Sequence, residues 1–452
     1  MVGTGIYAIG TFGTKILMFL IVPLYTYYLD VSEMGIYDIL LSLIGLVTPI
    51  ISLQISDALY RWLIQDDANY TLYLRVTYQF LIVASIITII VIMIVGFFVS
   101  IPYLKYFLCA LFSSLYFQIA QKILRGLKRQ WLFAISGIVY TCVFLSLNIM
   151  QLCIWHRGIE SLFISYTIAN IIGIITIAIF ERRLCINIFK RSKISVLKTL
   201  LVYSIPLIPN YLNWWIVDSS DRYIVLFFLG INANGILAIA HKFPTILQSI
   251  FGLFLNSWQD LAIENKKVEE GFFSSVFQNF YKFSFAFVWL LVPITKLFVW
   301  LVMGKDYKIA CDFIPFYYLG AIFQAFCSFY GVGYLRTQNT KSAFFSSIYG
   351  AIMNAVVNIC LIRIIGLQAA GVSTFVAFFI MWLFREKQNR VELGITIKWT
   401  EFLSLLLIDM LICMFSILGS IKFNIILFGV GSICFVRYNW KEVKKIVKMI
   451  KN

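Results

Sequence analysis

Long apolar runs constrain this chain more than any other feature of its sequence. The stretch from Phe80 to Val99 contains no charged residue, and about 20 consecutive apolar residues are what a helix needs to cross the hydrocarbon core of a bilayer. The same stretch lacks the alternating polarity of a transmembrane β-strand. The chain is therefore predicted to cross the membrane as α-helices.

Composition extends this prediction to the whole chain. Of the 452 residues, 61% are hydrophobic and only 13% are charged, which is roughly half the charged fraction of a soluble protein. The nine cysteines lie mostly within apolar runs, so we interpret them as small apolar residues and not as a disulfide framework. An all-α polytopic membrane protein is predicted, with about fourteen spans at 4–28, 35–58, 76–99, 103–124, 131–154, 160–180, 198–218, 235–257, 273–300, 312–335, 342–363, 367–384, 402–418 and 423–437.

The distribution of basic residues predicts the orientation in the membrane. Most of the 37 lysines and arginines fall in loops on one side of this scheme, and such loops remain in the cytoplasm. Both termini are therefore predicted to be cytoplasmic. The net charge of +16 indicates anionic membrane lipids as partners and not nucleic acid, because no soluble domain is present to carry a basic binding face.

Weak internal repetition predicts two halves. Gly35 and Ile36 recur as Gly235 and Ile236, and Asn148 recurs 210 positions later as Asn358. We predict six-helix bundles over 1–190 and 195–385, two additional helices over 398–437 and a basic cytoplasmic tail over 438–452. Spans one and seven both start on the same side, so the two bundles are predicted to form a parallel repeat about an axis along the membrane normal.

Sequence signals for enzymatic chemistry are absent. The chain has no phosphate-binding Gly-x-x-x-x-Gly-Lys-Ser/Thr loop, no His-Glu-x-x-His pattern and only two histidines, which argues against an ATP-driven pump and a His-ligated metal site. The predicted outer loops are too short for the catalytic domain of a membrane polymerase. A transporter without a resident cofactor is expected, and coupling to protons or to sodium ions remains open.

Ionisable residues within the spans are the candidate site residues, because a charge facing lipid is costly. Lys15 lies about 11 residues, or roughly 16 Å, from either end of its span, beyond comfortable snorkelling reach. It is expected to face a cavity or to pair with an acid. Lys296, near the outer end of its span, is expected to snorkel.

The other candidates have two readings each. Lys242 and Lys282 could contact substrate or snorkel, and Asp218 and Arg222, close to Asp221, could form a salt bridge or contact substrate. Arg61 is expected to pair with Asp57, four residues earlier on one helical face. The predicted substrate-binding set, with no catalytic and no metal-binding residue, consists of Lys15, Arg61, Asp218, Arg222, Lys242 and Lys282.

Three segments resemble a known family. Residues 23–38, residues 204–223 with Gly235 and Ile236, and Leu124-Arg125-Gly126 are similar to bacterial polysaccharide-biosynthesis flippases, the Wzx-type O-antigen translocases. The resemblance implies the fold of the multidrug/oligosaccharidyl-lipid/polysaccharide exporter superfamily, and location in the bacterial inner membrane. It also implies transfer of an undecaprenyl-diphosphate-linked oligosaccharide to the outer leaflet, with a polysaccharide polymerase and a chain-length regulator as further partners.

Three alternatives accompany this interpretation. A lipid II flippase of the same superfamily stays open. A drug/cation antiporter would be expected to carry an acid in an early span, whereas the first span carries Lys15. A membrane polysaccharide polymerase is disfavoured by the short outer loops.

Overall fold

The computed structural model describes residues 13–65, 70–98, 102–184, 190, 193–264, 271–337 and 339–439. Within these ranges the chain consists of helices and connecting turns, and no strand occurs. The predicted all-α class is confirmed. The chain divides into two compact units, Met1–Trp215 and Ile216–Asn452.

The first unit begins, in its described part, with residues 13–20, which are helical. A π-helical turn, Met150–Ile154, follows directly after the helix Gln130–Ile149, and 3-10 turns occur at Arg182–Leu184 and Ile205–Leu207. The helices that follow residues 13–20 are α1 Val22–Tyr28, α2 Val31–Ser52, α3 Ile55–Gln65, α4 Tyr70–Phe98, α5 Leu104–Gly126, α6 Gln130–Ile149, α7 Glu160–Phe180 and α8 Ile194–Ser204.

A sharp break separates α2 from α3. Leu53 and Gln54 have φ values of 45° and 54°, in the left-handed region that non-glycine residues rarely adopt. The predicted second span, 35–58, is therefore two elements: a span that ends at Ser52 and an 11-residue helix, α3. Gly126 allows α5 to approach α3 closely, since a Cβ atom there would lie 2.8 Å from the Cβ atom of Leu63.

The second unit contains seven further helices, and α9 runs across the boundary between the units. A 3-10 segment, Lys305–Asp312, leads into α12. The helices are α9 Ile208–Leu229, α10 Ile231–Glu264, α11 Phe272–Val302, α12 Ile314–Thr337, α13 Thr340–Ile365, α14 Gln368–Leu393, α15 Trp399–Leu418 and α16 Ile421–Tyr438.

The unit boundary lies later in the chain than the predicted linker. Residues 193–215 belong to the first unit, and α15 and α16, predicted as a separate pair, belong to the second. Most of the predicted tail, 440–452, lies outside the described residues. The parallel repeat between the halves stays a prediction.

The spans agree with the sequence in number and position over most of the chain. Among the described residues, twelve helices are long and apolar enough to cross a membrane, and thirteen if the bent pair Lys305–Asp312 and Ile314–Thr337 forms one span. The first predicted span, 4–28, lies partly outside the described residues. A total of fourteen therefore stays a prediction.

Aromatic side chains fill the centre of the second unit. The rings of Trp382 and Phe402 stack with centroids 4.9 Å apart, and Phe277 meets Phe326 edge-on at 5.3 Å. All four side chains are fully buried. In contrast, α4 of the first unit exposes most of its apolar surface, with Phe97 86% exposed. A helix that is apolar all round and exposed in this way is typical of one that faces lipid.

Polar contacts fasten α15 to α11 at three levels. The three residues on α11 are seven positions apart and share one face. Lys282 Nζ lies 2.7 Å from Glu401 Oε1, and Trp289 Nε1 donates to Asp409 Oδ1 at 2.7 Å. Lys296 Nζ donates to the main-chain carbonyls of Ile417 and Gly419 at 3.1 and 3.2 Å.

Lys296 also pairs with Asp312, its Nζ lying 2.9 Å from Oδ1. The expectation that it snorkels is wrong, because carbonyl groups at the C-terminal end of α15 and a carboxylate surround the ammonium within the protein. A cation at a helix C-terminus is favoured by the orphan carbonyls and the helix dipole. Lys296 therefore stabilises the end of α15.

Candidate functional site

A buried carboxylate on α9 is the centre of the candidate site. Asp221 is fully buried although it lies within a helix that crosses the membrane. A carboxylate in such a place needs polar partners, because burying a charge without them is costly. The whole site lies in the second unit.

Three side chains from three other helices donate hydrogen bonds to Asp221. Thr374 of α14 lies 2.7 Å from Oδ2, Asn358 of α13 donates through Nδ2 to Oδ1 at 3.1 Å, and Tyr317 of α12 donates weakly to Oδ2 at 3.3 Å. The carboxylate thus joins α9 to the three helices that surround it.

Small residues allow these helices to come close enough for the contacts. A Cβ atom at Gly371 of α14 would lie 3.3 Å from the carbonyl oxygen of Phe313, and one at Gly320 of α12 would lie 3.0 Å from Cγ2 of Thr374. Tyr317 and Thr374 reach Asp221 because α12 and α14 pack closely at these glycines.

A second layer of amide and hydroxyl groups lies around Asp221 and its three donors. Ser220 Oγ donates to Asn354 Oδ1 at 2.9 Å, and Asn354 Nδ2 lies 3.4 Å from Thr374 Oγ1. The Oδ1 atom of Asn358 is buried and accepts no hydrogen bond from the described residues. The site therefore contains a buried oxygen whose hydrogen-bonding capacity is unused.

The hydrogen-bond acceptors around Thr374 outnumber the hydrogens that its hydroxyl can donate. The Thr374 hydroxyl has one hydrogen but two acceptors within reach, Asp221 Oδ2 at 2.7 Å and the Ala370 carbonyl oxygen at 2.9 Å. With a proton on Asp221, or a cation beside its carboxylate, the hydroxyl would be free to donate to the Ala370 carbonyl oxygen. Carboxylate, carbonyl and hydroxyl oxygens are the ligands that hard cations prefer.

One side of the site around Asp221 is apolar. Val225, one turn after Asp221, packs in a buried apolar cluster with Leu237, Ile362 and Leu367. His241 of α10 lies against Tyr317 with ring centroids 4.2 Å apart, and its Nε2 atom is buried without a hydrogen-bond partner among the described residues. That nitrogen is a second buried polar atom of this region whose hydrogen-bonding capacity is unused.

The single carboxylate limits what can bind. No group of three or more His, Cys, Asp or Glu side chains that could hold a metal occurs within the described ranges. One negative charge among neutral oxygens suits a proton or a monovalent cation, and not the four-ligand set that zinc requires.

The predicted site residues on α9 flank this carboxylate. Asp218 is exposed, and Arg222 donates through Nη1 to the main-chain carbonyl oxygen of Asp218 at 2.9 Å. Sequence reasoning identified the cluster but assigned the contacts to Asp218 and Arg222, whereas the contacts with other helices belong to Asp221. The charged residues of α9 fall in one run, residues 218–222, between apolar runs, so the sequence gives no sign of which of them is inward.

Arg61 does not pair with Asp57, so that expectation is wrong. Asp57 pairs with Lys122 of α5, while the guanidinium of Arg61 lies over the ring of Tyr203 at 4.6 Å. The face of α3 with Asp57 is turned to α5, and α8 provides the aromatic ring for Arg61.

The three predicted lysines lie in different surroundings. Lys15 is exposed on the helical segment 13–20, and Lys242 is partly buried beside His241 on α10. Lys282 pairs with Glu401, which favours a structural role. The structure therefore groups Asp218 and Arg222 around Asp221 and places Lys282 in the contact between α11 and α15.

Comparison with known proteins identifies the relatives of this chain. The family model described as polysaccharide biosynthesis protein matches residues 1–258. No curated protein matches the chain.

Several solved structures share the fold. A structure of the lipid II flippase MurJ in an inward closed conformation aligns over 98% of this chain and 99% of that chain, with a TM-score of 0.71 and 16% identity. A multidrug resistance MATE family transporter of the MOP superfamily aligns in its inward-facing conformation over 87% and 93%, with a TM-score of 0.62 and 13% identity. Its outward-facing conformation aligns over 86% and 94%, with a TM-score of 0.60 and 13% identity.

Proposed function

Because this chain belongs to the polysaccharide biosynthesis protein family, we propose that it is a flippase for a lipid-linked oligosaccharide. The substrate class is an undecaprenyl-diphosphate-linked repeat unit, moved from the cytoplasmic to the outer leaflet of a bacterial inner membrane for O-antigen or capsule assembly. A polysaccharide polymerase and a chain-length regulator would then act on the product. Family membership supports a role in polysaccharide biosynthesis, and the MurJ-like fold supports transport of a lipid carrier.

The observation that carries the transport mechanism is the buried carboxylate of Asp221. Binding of a proton or a sodium ion neutralises it, and release leaves a charge in a low-dielectric interior, which is unfavourable. Loading would therefore favour the packing of α9 against α12, α13 and α14, and unloading would favour loosening of this packing. A cation gradient can bias transport in this way, because an ion shifts a conformational equilibrium only through unequal affinity for the two states.

Cationic side chains are proposed to receive the substrate diphosphate. Lys15, Arg61, Arg222 and Lys242 are the candidates, and Asp218 lies beside Arg222 for sugar hydroxyls. Ammonium and guanidinium groups bind phosphate oxygens through charge-assisted hydrogen bonds. Lys282, paired with Glu401, is the weakest member of the predicted set.

Complementation separates this function from others. A strain that lacks its own oligosaccharide flippase, supplied with this chain and the matching glycosyltransferases, should regain surface polysaccharide and stop accumulating the lipid-linked repeat unit. The Asp221→Asn variant should insert normally and fail to restore it. Unchanged accumulation of the repeat unit with the wild-type chain, at normal membrane abundance, would contradict the proposal.

A lipid II flippase is the second candidate, favoured by the similarity to MurJ over nearly the whole chain. The same chain would then rescue growth of cells depleted of their lipid II flippase. Rescue of growth without any restoration of surface polysaccharide would favour this second function.

A further inference from the structure

The helix that enters the second half of the chain is too long for one bilayer crossing. Residues Ile194–Leu229, which comprise α8, the 3-10 turn and α9, form a helical stretch of 36 residues, about 54 Å long at 1.5 Å per residue. The hydrocarbon core is about 30 Å thick. One end must therefore lie at the interface, and the lysines before and within α8 place that end at α8.

The inner face of α8 is fixed to the first unit. Leu200 and Ser204 are fully buried. Tyr203 packs edge-on against Trp62 of α3 with centroids 5.5 Å apart, and the guanidinium of Arg61 lies over its other side. The orientation of α8 is thus determined by α3.

The outer face of α8 forms an apolar groove. Its lining residues recur at spacings of three and four, so they share one helical face. Ile194 is 84% and Val202 66% exposed. The groove is shallow and open on one side, and the described residues that line it all lie on α8 and the turn after it: Ile194, Leu197, Lys198, Leu201, Val202, Ile205 and Pro206.

The chain around the groove has a strong excess of positive charge. No aspartate or glutamate occurs in residues 182–217, which contain the basic residues Arg182, Arg183, Lys190, Arg191, Lys193 and Lys198. Lys190, Lys193 and Lys198 are exposed. Glu181, the nearest preceding acid, is paired with Arg129 at 2.8 Å.

We propose that this groove, residues 194–206 with Lys198 in its lining and Lys193 directly before it in the chain, binds an anionic phospholipid. The acyl chains lie along the apolar face of α8, and the phosphate meets the two ammonium groups. Basic sites at the membrane interface bind anionic lipid headgroups in this way, and an amphipathic interfacial helix buries its apolar face among acyl chains.

The lining favours a phospholipid over the lipid-linked oligosaccharide. Apart from Lys198, the lining side chains among the described residues are apolar. Sugars need amide, carboxylate or hydroxyl partners, and the described part of the lining offers none. This inference does not depend on which substrate the protein transports.

Native mass spectrometry of the full-length protein in detergent tests the site, with titration of phosphatidylglycerol against phosphatidylcholine. Each lysine near an anionic lipid surface is worth about 1 kcal/mol, so Lys193→Gln/Lys198→Gln should weaken phosphatidylglycerol binding roughly 30-fold. Phosphatidylcholine binding should hardly change. The matched control, Lys305→Gln/Lys422→Gln, removes two exposed lysines elsewhere and should bind as the wild-type chain does.

Two further variants separate charge from folding. Lys193→Arg/Lys198→Arg keeps both charges and should retain tight binding, while Val202→Asn, which keeps both lysines, should weaken binding severalfold by making the groove polar. Equal phosphatidylglycerol affinity of Lys193→Gln/Lys198→Gln and the control would overturn the proposal. Loss of undecaprenyl diphosphate binding alone in that variant would also overturn it, by assigning the groove to the substrate lipid.

Discussion

At the scale of single residues, position on the helix decides the role of an ionisable group. Asp218 and Asp221 are three residues apart on α9, yet Asp218 is exposed and Asp221 is fully buried. The cation site that we propose uses the buried acid, which has three donors from three helices, whereas the exposed acid is open to solvent or to the substrate.

Asp221→Asn should abolish transport without loss of the protein from the membrane. The amide has nearly the same shape and no charge, so no unpaired buried charge is left, but it cannot bind a cation through a carboxylate. Surface polysaccharide and membrane abundance should be measured together. Asp306→Asn, at an exposed acid outside the predicted substrate-binding set, is the control and should keep most of the activity; equal loss in both variants would contradict a special role for Asp221.

Lys15 is tested by comparing two substitutions. Lys15→Ala should abolish surface polysaccharide at normal abundance if the ammonium attracts the diphosphate, and Lys15→Arg should retain part of the activity because it keeps the charge. Full activity of Lys15→Ala at normal abundance would exclude this role.

At the scale of elements, close backbone contacts and polar contacts between side chains determine which helices pack together. The stripe Lys282, Trp289 and Lys296 fixes α15 to α11, and Gly431 brings α16 so close that a Cβ atom there would lie 2.4 Å from the Trp289 carbonyl oxygen. The two last helices are therefore an integral part of the second unit.

Trp289→Phe should destabilise the second unit by about 1–3 kcal/mol, because it removes the donor to Asp409 Oδ1 and leaves the buried carboxyl without a partner. Asp409 Oδ2 already has none among the described residues. Thermal unfolding of the purified protein measures the effect. The double variant Trp289→Phe/Asp409→Leu should recover part of the lost stability. The control Trp399→Phe, at a half-exposed tryptophan, should have little effect. No recovery in the double variant would show that loss of the Trp289–Asp409 hydrogen bond is not the cause.

Gly126→Ala should lower the unfolding temperature. Alanine normally stabilises a helix by about 0.5–1 kcal/mol relative to glycine, but here the new Cβ atom would lie 2.8 Å from the Cβ atom of Leu63, which cannot move without shifting α3. Gly137→Ala on α6 is the control, since its nearest neighbour is 3.9 Å away. A higher unfolding temperature for Gly126→Ala than for wild type would contradict the close packing of α3 and α5.

At the scale of the whole molecule, apolar runs were sufficient to predict the helical class and most spans. They could not predict the break at Leu53 and Gln54, because no glycine or proline marks these positions. They also could not predict the burial of Asp221, because both sides of α9 carry apolar residues. Pairing also escaped prediction: Lys122 lies 65 positions from Asp57, so local spacing favoured Arg61. Contacts between distant helices depend on the fold and not on neighbouring residues.

The topology follows from the distribution of lysine and arginine. Reporter fusions after Asn339 and after Asn452 should both report the cytoplasm, because the basic loops remain on that side. An outer-side signal at either position would contradict the scheme.

Direct measurement of flipping tests the central claim that cation binding at Asp221 drives movement of a lipid-linked oligosaccharide. Purified wild-type protein and the Asp221→Asn variant are reconstituted into vesicles with a fluorescent undecaprenyl-diphosphate oligosaccharide, and an impermeant quencher reports its exposure under an imposed proton or sodium gradient. The account predicts that one of the two gradients accelerates flipping by the wild-type chain and neither does so for Asp221→Asn. Flipping at the rate of protein-free vesicles, or equal gradient-driven rates for both chains, would contradict it.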